Sequence, residues 1–208
     1  NIAREDIFLT TKLWNDNQFF DDVVPSFEKS LKNLQTDYVD LFLIHFPVTE
    51  LRRPAWRKME ELCKSGAVKS IGVSNYTVKH LKELMAESEI KPVVNQVELH
   101  VFLQQPELVE YCQENNIILE AYSPLAHGNK LDNVTLTDLA KKYNKTSAQI
   151  MLRWCVQKGF VVLPKSVTLS RIEENFEVFN FEINDSDMTK LASLNNNYRT
   201  CWDPTNVS

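Results

Sequence analysis

Short apolar runs rich in β-branched residues alternate along the chain with stretches in which apolar residues recur every three or four positions. The runs predict buried strands, because the strands of a parallel sheet are covered on both faces. The stretches between them predict amphipathic helices. The strand signals are IFLTTKL, VDLFLIHF, SIGVSN, VVNQVEL, IILEAYS and FVVLPKS. This alternation predicts a parallel sheet wrapped by helices.

The ends of several helices are predicted by capping residues. Thr77 and Thr146 precede helical patterns as N-caps, and Asn184 or Asp185 precedes the last one. Proline suits a first helical turn because it has no N–H to leave unbonded. The residues of two predicted helix faces are Phe27, Leu31 and Leu34 in one helix, and Leu81, Leu84 and Met85 in another.

Two architectures are compatible with the alternation. A doubly wound sheet that binds a dinucleotide usually has a glycine-rich first turn, but the chain has only four glycines and no GxGxxG. A (β/α)8 barrel needs no such turn and places its chemistry at the carboxyl ends of the strands. The barrel is therefore preferred, although six strand signals are fewer than the roughly eight that it requires.

The composition narrows the class of protein. The chain has 208 residues, 43% of them hydrophobic, which suits one domain with a sizeable core. A net charge of −5 without a basic run argues against nucleic-acid binding. We expect no membrane span or signal peptide, because no apolar run approaches the roughly 20 residues of a span. Scattered cysteines without metal-like spacing predict reduced thiols, no metal and a cytoplasmic location.

Polar residues end most of the predicted strands. In a barrel these ends meet at one mouth, so the series predicts a lined pocket. Any one of them can instead be polar because it meets water, since lysine reaches solvent and histidine or tyrosine often has a structural role. The residues are Lys12, His45, Ser74, Asn75, Gln96, Glu98, Tyr122, Ser123, Lys165 and Ser166.

The segment VVLPKSVTLSRIEENF joins the last predicted strand to a helix that begins near Thr168 or Ser170. Cations, hydroxyl groups and the free N–H groups of a helix start together favour an anion, most simply a nucleotide phosphate. The alternative is an ordinary N-cap with surface cations. The residues concerned are Lys165, Ser166, Thr168 and Arg171, followed one turn later by Glu174 and Asn175, which suit an adenine.

Six motif segments follow one another along the whole chain: REDIFLTTKLW, SLKNLQTDYVDLFLIHFP, AWRKMEELCKSGAVKSIGVSNY, VVNQVELH, AYSPLAHG and VVLPKSVTLSRIEENFEVF. Together they resemble the aldo-keto reductase superfamily, of the aldose- and xylose-reductase-like kind. The resemblance implies a (β/α)8 barrel that uses NADPH, sometimes NADH, to reduce aldehydes and ketones, including sugars, by direct hydride transfer.

The resemblance also implies a role for each matching residue. Lys12 depresses the pKa of a catalytic tyrosine, and His45 orients the substrate carbonyl. Tyr122 stacks on the nicotinamide, whose carboxamide is held by Ser74, Asn75 and Gln96. The other implied cofactor residues, which include those around the 2′-phosphate, are Ser123, Leu125, Lys165, Ser166, Val167, Thr168, Arg171, Glu174 and Asn175. Phe46, where the family usually has tryptophan, and Trp202 in the tail are implied substrate contacts.

The family's tyrosine and aspartate have no match here, because the chain opens almost directly on the lysine strand. We therefore expect residues 1–208 to be a single barrel domain without its first two βα units. It would belong to a protein of roughly 280–320 residues, as a full barrel requires. The expected partner is a small carbonyl substrate, with no nucleic acid and no membrane, in a monomer or weak dimer.

Three functions remain open from the sequence. The first is an NADPH-dependent carbonyl reductase, and the second is a non-catalytic relative that binds NADPH in a structural or regulatory role, or an inactive fragment. The third is a phosphate-binding barrel of other chemistry, such as an aldolase or isomerase that uses Lys12 as a Schiff base. The adenine-type residues Glu174 and Asn175 argue against the third.

Overall fold

The computed structural model describes residues 2–207 and contains one sheet whose strand order follows the chain from β1 to β6. The strands are β1 (Thr10–Leu13), β2 (Val39–Ile44), β3 (Val68–Ser74), β4 (Val94–Glu98), β5 (Ile118–Tyr122) and β6 (Val161–Leu163). The helices are α1 (Val23–Leu34), α2 (Arg52–Lys64), α3 (Val78–Glu87), α4 (Pro106–Glu114), α5 (Val134–Tyr143), α6 (Ser147–Gln157), α7 (Leu169–Phe176) and α8 (Asp185–Ala192). The six predicted strands and the predicted alternation are confirmed.

Neighbouring strands run parallel in the pairs β1–β2, β2–β3 and β5–β6. Lys12 lies opposite Leu43, Phe42 opposite Ile71, and the β5–β6 pair is in register in the same way. In parallel pairs the carboxyl ends lie at the same edge of the sheet. Residues that follow such strands are therefore brought to one edge within each pair.

The chain divides into two compact units. The first runs to Asn95 and also takes in Asn115–Ile117 and the residues from Pro204. The second comprises Gln96–Glu114 and Ile118–Asp203, so the division falls within β4.

The core of the first unit is built on β2, all six residues of which are buried. The rings of Phe27 in α1 and Phe42 in β2 pack with centroids 5.0 Å apart. Gly72 in β3 allows close packing, because a Cβ there would lie 2.7 Å from Leu43 Cδ2 and 2.8 Å from the Val94 carbonyl oxygen. The ends of β1, β2 and β3 are thus held by a tightly packed core in this unit.

The second unit is organised by α6 and α8. Thr146 and Gln149 form a reciprocal capping box at the start of α6, and this helix buries Trp154 among other apolar residues. Asp187 of α8 is fully buried. It accepts hydrogen bonds from Lys142 Nζ at 2.5 Å and from the Tyr143 hydroxyl at 2.7 Å, which ties α8 to α5.

The two end strands differ from the expectation that strands are covered on both faces. Before β1, Ile7 and Phe8 are 42% and 69% exposed, and in β6 Val161 and Leu163 are 45% and 38% exposed. Each of these strands has a strand neighbour on one side only in the observed order. The open side leaves their apolar side chains in contact with solvent.

The predicted helix starts are largely confirmed. Thr77 and Thr146 accept hydrogen bonds from the backbone as N-caps, and Asn184 rather than Asp185 caps α8. Thr168 precedes α7 at the predicted point. The predicted face of α1 is shorter than expected, because Leu34 is its last residue and is 40% exposed.

Candidate active site

The ends of β1, β2 and β3 in the first unit place four of the predicted site residues. Lys12 is the third residue of β1, and His45 directly follows β2, where its N–H donates to the Leu13 carbonyl at 3.0 Å. Ser74 ends β3 and Asn75 follows it. The parallel registers therefore bring these residues to the same edge of one unit.

His45 has a half-buried ring with defined neighbours. Its Nδ1 lies 3.3 Å from Asn15 Oδ1, and its ring centroid lies 4.3 Å from that of Trp14. Burial lowers the pKa of His45 below its ordinary value of 6.5, and the positive charge of Lys12 lowers it further. The ring is therefore neutral at pH 7, and a neutral imidazole can offer one N–H to a carbonyl oxygen.

Asn75 connects two strand ends. Its Nδ2 donates to the His45 carbonyl at 3.0 Å and to Ser74 Oγ at 3.1 Å, and both Ser74 and Asn75 are buried. Its backbone has φ of 62°, a left-handed conformation that asparagine adopts more readily than most residues. These contacts hold the backbone of His45 in place.

In the second unit, Gln96 lies within β4, and Tyr122 and Ser123 lie at the end of β5. Gln96 is buried and donates from Nε2 to Glu120 Oε2 at 2.6 Å. Ser123 also has a left-handed backbone, with φ of 47°, and its Oγ lies 3.0 Å from His127 Nε2. The turn after β5 therefore presents a hydroxyl and an imidazole together.

A cavity of about 800 Å³ lies in the second unit. Its wall brings together residues from three separate stretches of the chain. One follows β5, one lies at the start of α6, and one runs from the end of β6 into α7. The predicted cofactor residues that line it are Ser123, Leu125, Lys165, Ser166, Arg171, Glu174 and Asn175. Lys165 and Arg171 are exposed, so their charges face solvent at this wall.

The junction between β6 and α7 has the local structure of a helix start. Ser166 Oγ accepts from the Thr168 N–H at 3.1 Å, and the Thr168 carbonyl accepts from the Arg171 N–H at 3.1 Å. Glu174 is already fixed, because its carboxylate accepts from the Thr146 hydroxyl at 2.7 Å. Thr168 and Val167 are not among the residues of the cavity wall, and Val167 is 84% exposed.

The two predicted substrate residues lie in different units. Phe46 follows His45 in the first unit, where its carbonyl accepts from Gln18 Nε2 at 2.9 Å. Trp202 is 56% exposed in the second unit. Sequence reasoning missed Trp14 and Asn15 beside His45, although their position two and three residues after Lys12 was a usable signal.

Residues 2–207 also show three properties that bear on metal binding, membrane insertion and thiol chemistry. No group of three or more His, Cys, Asp or Glu side chains in this range could hold a metal ion. Within the same range, every helix is too short or too polar to cross a bilayer. All four cysteines are free thiols, at positions 63, 112, 155 and 201.

Comparison with known proteins assigns the chain to a family. The model of the Aldo/keto reductase family matches residues 1–196. The glyoxal reductase of Bacillus subtilis is 48% identical over 203 residues, which cover 98% of this chain and 74% of that protein.

Solved structures agree with this assignment. An aldo-keto reductase from a Medee basin deep-sea metagenome library has a TM-score of 0.96 at 46% identity, covering 100% of this chain and 78% of that one. A Bombyx mori aldo-keto reductase in complex with NADP has a TM-score of 0.88 at 37% identity, covering 95% and 71%. The chain belongs to the aldo/keto reductase family.

Proposed function

We propose that the chain binds NADPH and orients carbonyl substrates in a reductase of aldehydes and ketones. The observation that carries the proposal is the cavity of the second unit, whose wall combines two cations, hydroxyl groups and polar partners for a base. A family relative named glyoxal reductase and a family structure that contains NADP support the same reaction class.

The charged and hydrogen-bonding side chains of the cavity wall suit the adenosine end of NADPH. Lys165 and Arg171 would hold the 2′-phosphate, because fixed cations at a helix start favour an anion. Ser166 in the wall, and Thr168 next to the wall in the chain, would add hydroxyl donors. Glu174 and Asn175 would contact the adenine, and Ser123 and Leu125 would line the path of the pyrophosphate. Val167, in the same segment as Lys165, is the remaining proposed cofactor residue.

The roles proposed at the nicotinamide end of the cofactor are those that the family pattern implies. By the family pattern, the carboxamide role belongs to Ser74 and Asn75 at the end of β3 and to Gln96 within β4, each of which has a hydrogen-bonding side chain. Tyr122 would stack on the ring. When bound, NADPH supplies the hydride that reduces the carbonyl carbon.

The carbonyl oxygen would be oriented by His45. A neutral imidazole polarises the oxygen by donating a hydrogen bond without placing a second full charge beside Lys12. By the family pattern the proton comes from a tyrosine outside these 208 residues, and Lys12 lowers the pKa of that tyrosine. Trp14 and Phe46 in the first unit are proposed to contact a small substrate such as an α-oxoaldehyde, and for Trp202 the substrate role stays the one that the family resemblance implies.

We further propose that the six strands belong to a single (β/α)8 barrel domain that is incomplete at its N-terminal side. The exposed apolar residues Ile7, Phe8, Val161 and Leu163 support this, because further strands would cover them. The intact mass of the natural protein tests it. A mass about 10 kDa above 24.1 kDa agrees with a full barrel, and a mass equal to 24.1 kDa contradicts it.

The functional proposal is tested by titrating the protein with NADPH and then following NADPH absorbance after adding glyoxal. Saturable binding followed by turnover is expected of the natural protein. Binding without turnover would favour a non-catalytic relative over a reductase. An absence of NADPH binding would contradict the proposal altogether.

A further inference from the structure

Glu98, the last residue of β4, accepts hydrogen bonds from residues of the second unit that lie about a hundred positions later in the chain. Its carboxylate is fully buried. Oε1 accepts hydrogen bonds from the Thr200 N–H at 2.8 Å and from the Thr200 hydroxyl at 2.5 Å, and Oε2 accepts from the Cys201 N–H at 3.0 Å. His100 Nε2 lies 3.1 Å from Oε1. One side chain therefore anchors Thr200 and Cys201 to the end of a central strand.

This anchor is strong because the carboxylate stays ionised. Burial alone would raise the pKa of Glu98, but the hydrogen bonds from His100, Thr200 and Cys201 outweigh burial and lower the pKa to about 2. A depressed carboxyl pKa stabilises the fold above the ordinary value of 4.5, and that contribution is lost as the pH falls towards 2. At neutral pH the bonds to Glu98 are charge-assisted.

The anchored segment touches the turn after β5. Burial, together with the nearby Cys201 and Glu98, raises the pKa of Tyr122, the last residue of β5. Cys201 Sγ also lies 3.6 Å from Ser123 Oγ and 3.6 Å from His127 Nε2. The position of Cys201, and with it the surroundings of the Tyr122 ring, therefore depends on Glu98.

The tail comprises the residues from Ser193 to Asp203, which follow α8 in the second unit. The part of it before Thr200 is attached to the loop after β4 by contacts that do not involve Glu98. The Phe102 carbonyl accepts from the N–H groups of Asn196 and Tyr198 at 3.2 and 3.1 Å. Lys130 Nζ lies 3.9 Å from the centroid of the Tyr198 ring. These contacts would keep the tail in place up to Tyr198 if the Glu98 anchor were removed, so its loss is expected to act locally at Thr200 and Cys201.

We propose that Glu98 is a positioning residue for the nicotinamide end of the cofactor site. It holds Thr200 and Cys201 so that Cys201, through its contact with Ser123, keeps the end of β5 and the Tyr122 ring in position for stacking. Glu98 does not itself touch the reacting atoms. This inference rests on the proposed function, in which Tyr122 stacks on the nicotinamide. It assigns to a buried strand-end carboxylate a part in cofactor binding that acts through the tail.

The test compares Glu98→Gln with Asp187→Asn, which makes the same chemical change at another fully buried carboxylate of the second unit. Amide hydrogen exchange measures how well the tail is protected. The dissociation constants of two ligands measure the state of the cofactor site. NADPH has a nicotinamide, whereas adenosine 2′,5′-bisphosphate has only the adenosine end. Glu98→Gln should speed exchange at Thr200 and Cys201 about tenfold or more, because it weakens charge-assisted hydrogen bonds.

The same variant should weaken NADPH binding about tenfold and leave adenosine 2′,5′-bisphosphate binding unchanged. Asp187→Asn should lower thermal stability without producing either local effect. Unchanged exchange in Glu98→Gln would overturn the anchor. Faster exchange with unchanged NADPH binding would overturn the positioning role, and equal weakening of both ligands would show general damage to the unit instead.

The outcomes separate this inference from the proposed function. If the unsubstituted protein binds neither ligand, the proposed function and the positioning role both fail, while the exchange data still decide whether the anchor exists. If Glu98→Gln does not fold, Thr200→Val replaces it, because this variant keeps the carboxylate and removes only the hydroxyl bond. It should shift exchange and NADPH binding in the same direction by a smaller factor, and no shift in either would contradict the inference.

Discussion

The strand ends of the first unit and the cavity wall of the second use polar residues in opposite ways. Asn75 and Ser74 are buried and bonded within the protein, and His45 is held by its own backbone and by Asn15. Lys165 and Arg171, in contrast, are exposed at the cavity wall. One region is organised before any ligand arrives, and the other offers charge that a ligand would neutralise.

The difference follows from the chemistry proposed for each region. Orienting a carbonyl group needs a fixed direction, and a buried network supplies it because its members have few alternative positions. Holding a phosphate needs charge, and exposed cations supply it at low desolvation cost. We therefore expect changes in the first region to alter stability and pKa as well as the ligand site, and changes at the exposed cations of the second to alter ligand binding without loss of stability.

The largest expected effect is on the stability of the first region. Asn75→Gly removes the two hydrogen bonds of the amide and should lower the free energy of unfolding by about 1–2 kcal/mol. Asn75→Ala should cost about 1 kcal/mol more, because alanine is strained at a φ of 62°. Urea unfolding measures both variants.

Asn144→Ala is the matched control for this pair. Asn144 also has a left-handed backbone, with φ of 51°, but it lies at the exposed C-terminal end of α5. Its replacement should show the strain cost alone. If Asn75→Gly were as stable as the unsubstituted protein, the view that this amide organises the strand ends would be wrong.

A smaller effect is expected on the titration of His45. Lys12→Met removes a nearby positive charge, so the pKa of His45 should rise. It should still stay below 6.5, because burial, the larger cause of the depression, is unchanged. NMR titration of the ring protons measures this.

His80 provides an internal reference in the same spectra, because its pKa is set by burial and by its own neighbours, not by Lys12. Lys29→Met, a change on the exposed face of α1, provides the matched variant. A His45 titration that is the same in Lys12→Met and Lys29→Met would show that the two side chains do not interact.

Much of this molecule could be predicted from its residue pattern. The strands were visible as apolar runs, the caps Thr77 and Thr146 as hydroxyl residues before helical repeats, and the cavity cations Lys165 and Arg171 as part of a motif in one segment. These features are local, so neighbouring residues in the chain encode them.

The features that could not be predicted depend on contacts between distant parts of the chain. The carboxylate of Glu98 was visible only as a polar strand end, and its bonds to Thr200 and Cys201 span about a hundred residues. The exposure of Ile7 and Phe8 was likewise hidden, because an apolar run looks the same in a sequence whether or not another strand covers it.

The most direct test of the account is the effect of Arg171→Ala on the dissociation constants of NADPH and NADH, measured by fluorescence titration. We expect NADPH binding to weaken about 10- to 100-fold and NADH binding to be unchanged, because only NADPH carries the 2′-phosphate. Arg57→Ala, at an exposed arginine of the first unit, should change neither constant. Equal weakening of NADPH and NADH by Arg171→Ala would contradict the assignment of this cavity wall to the phosphate.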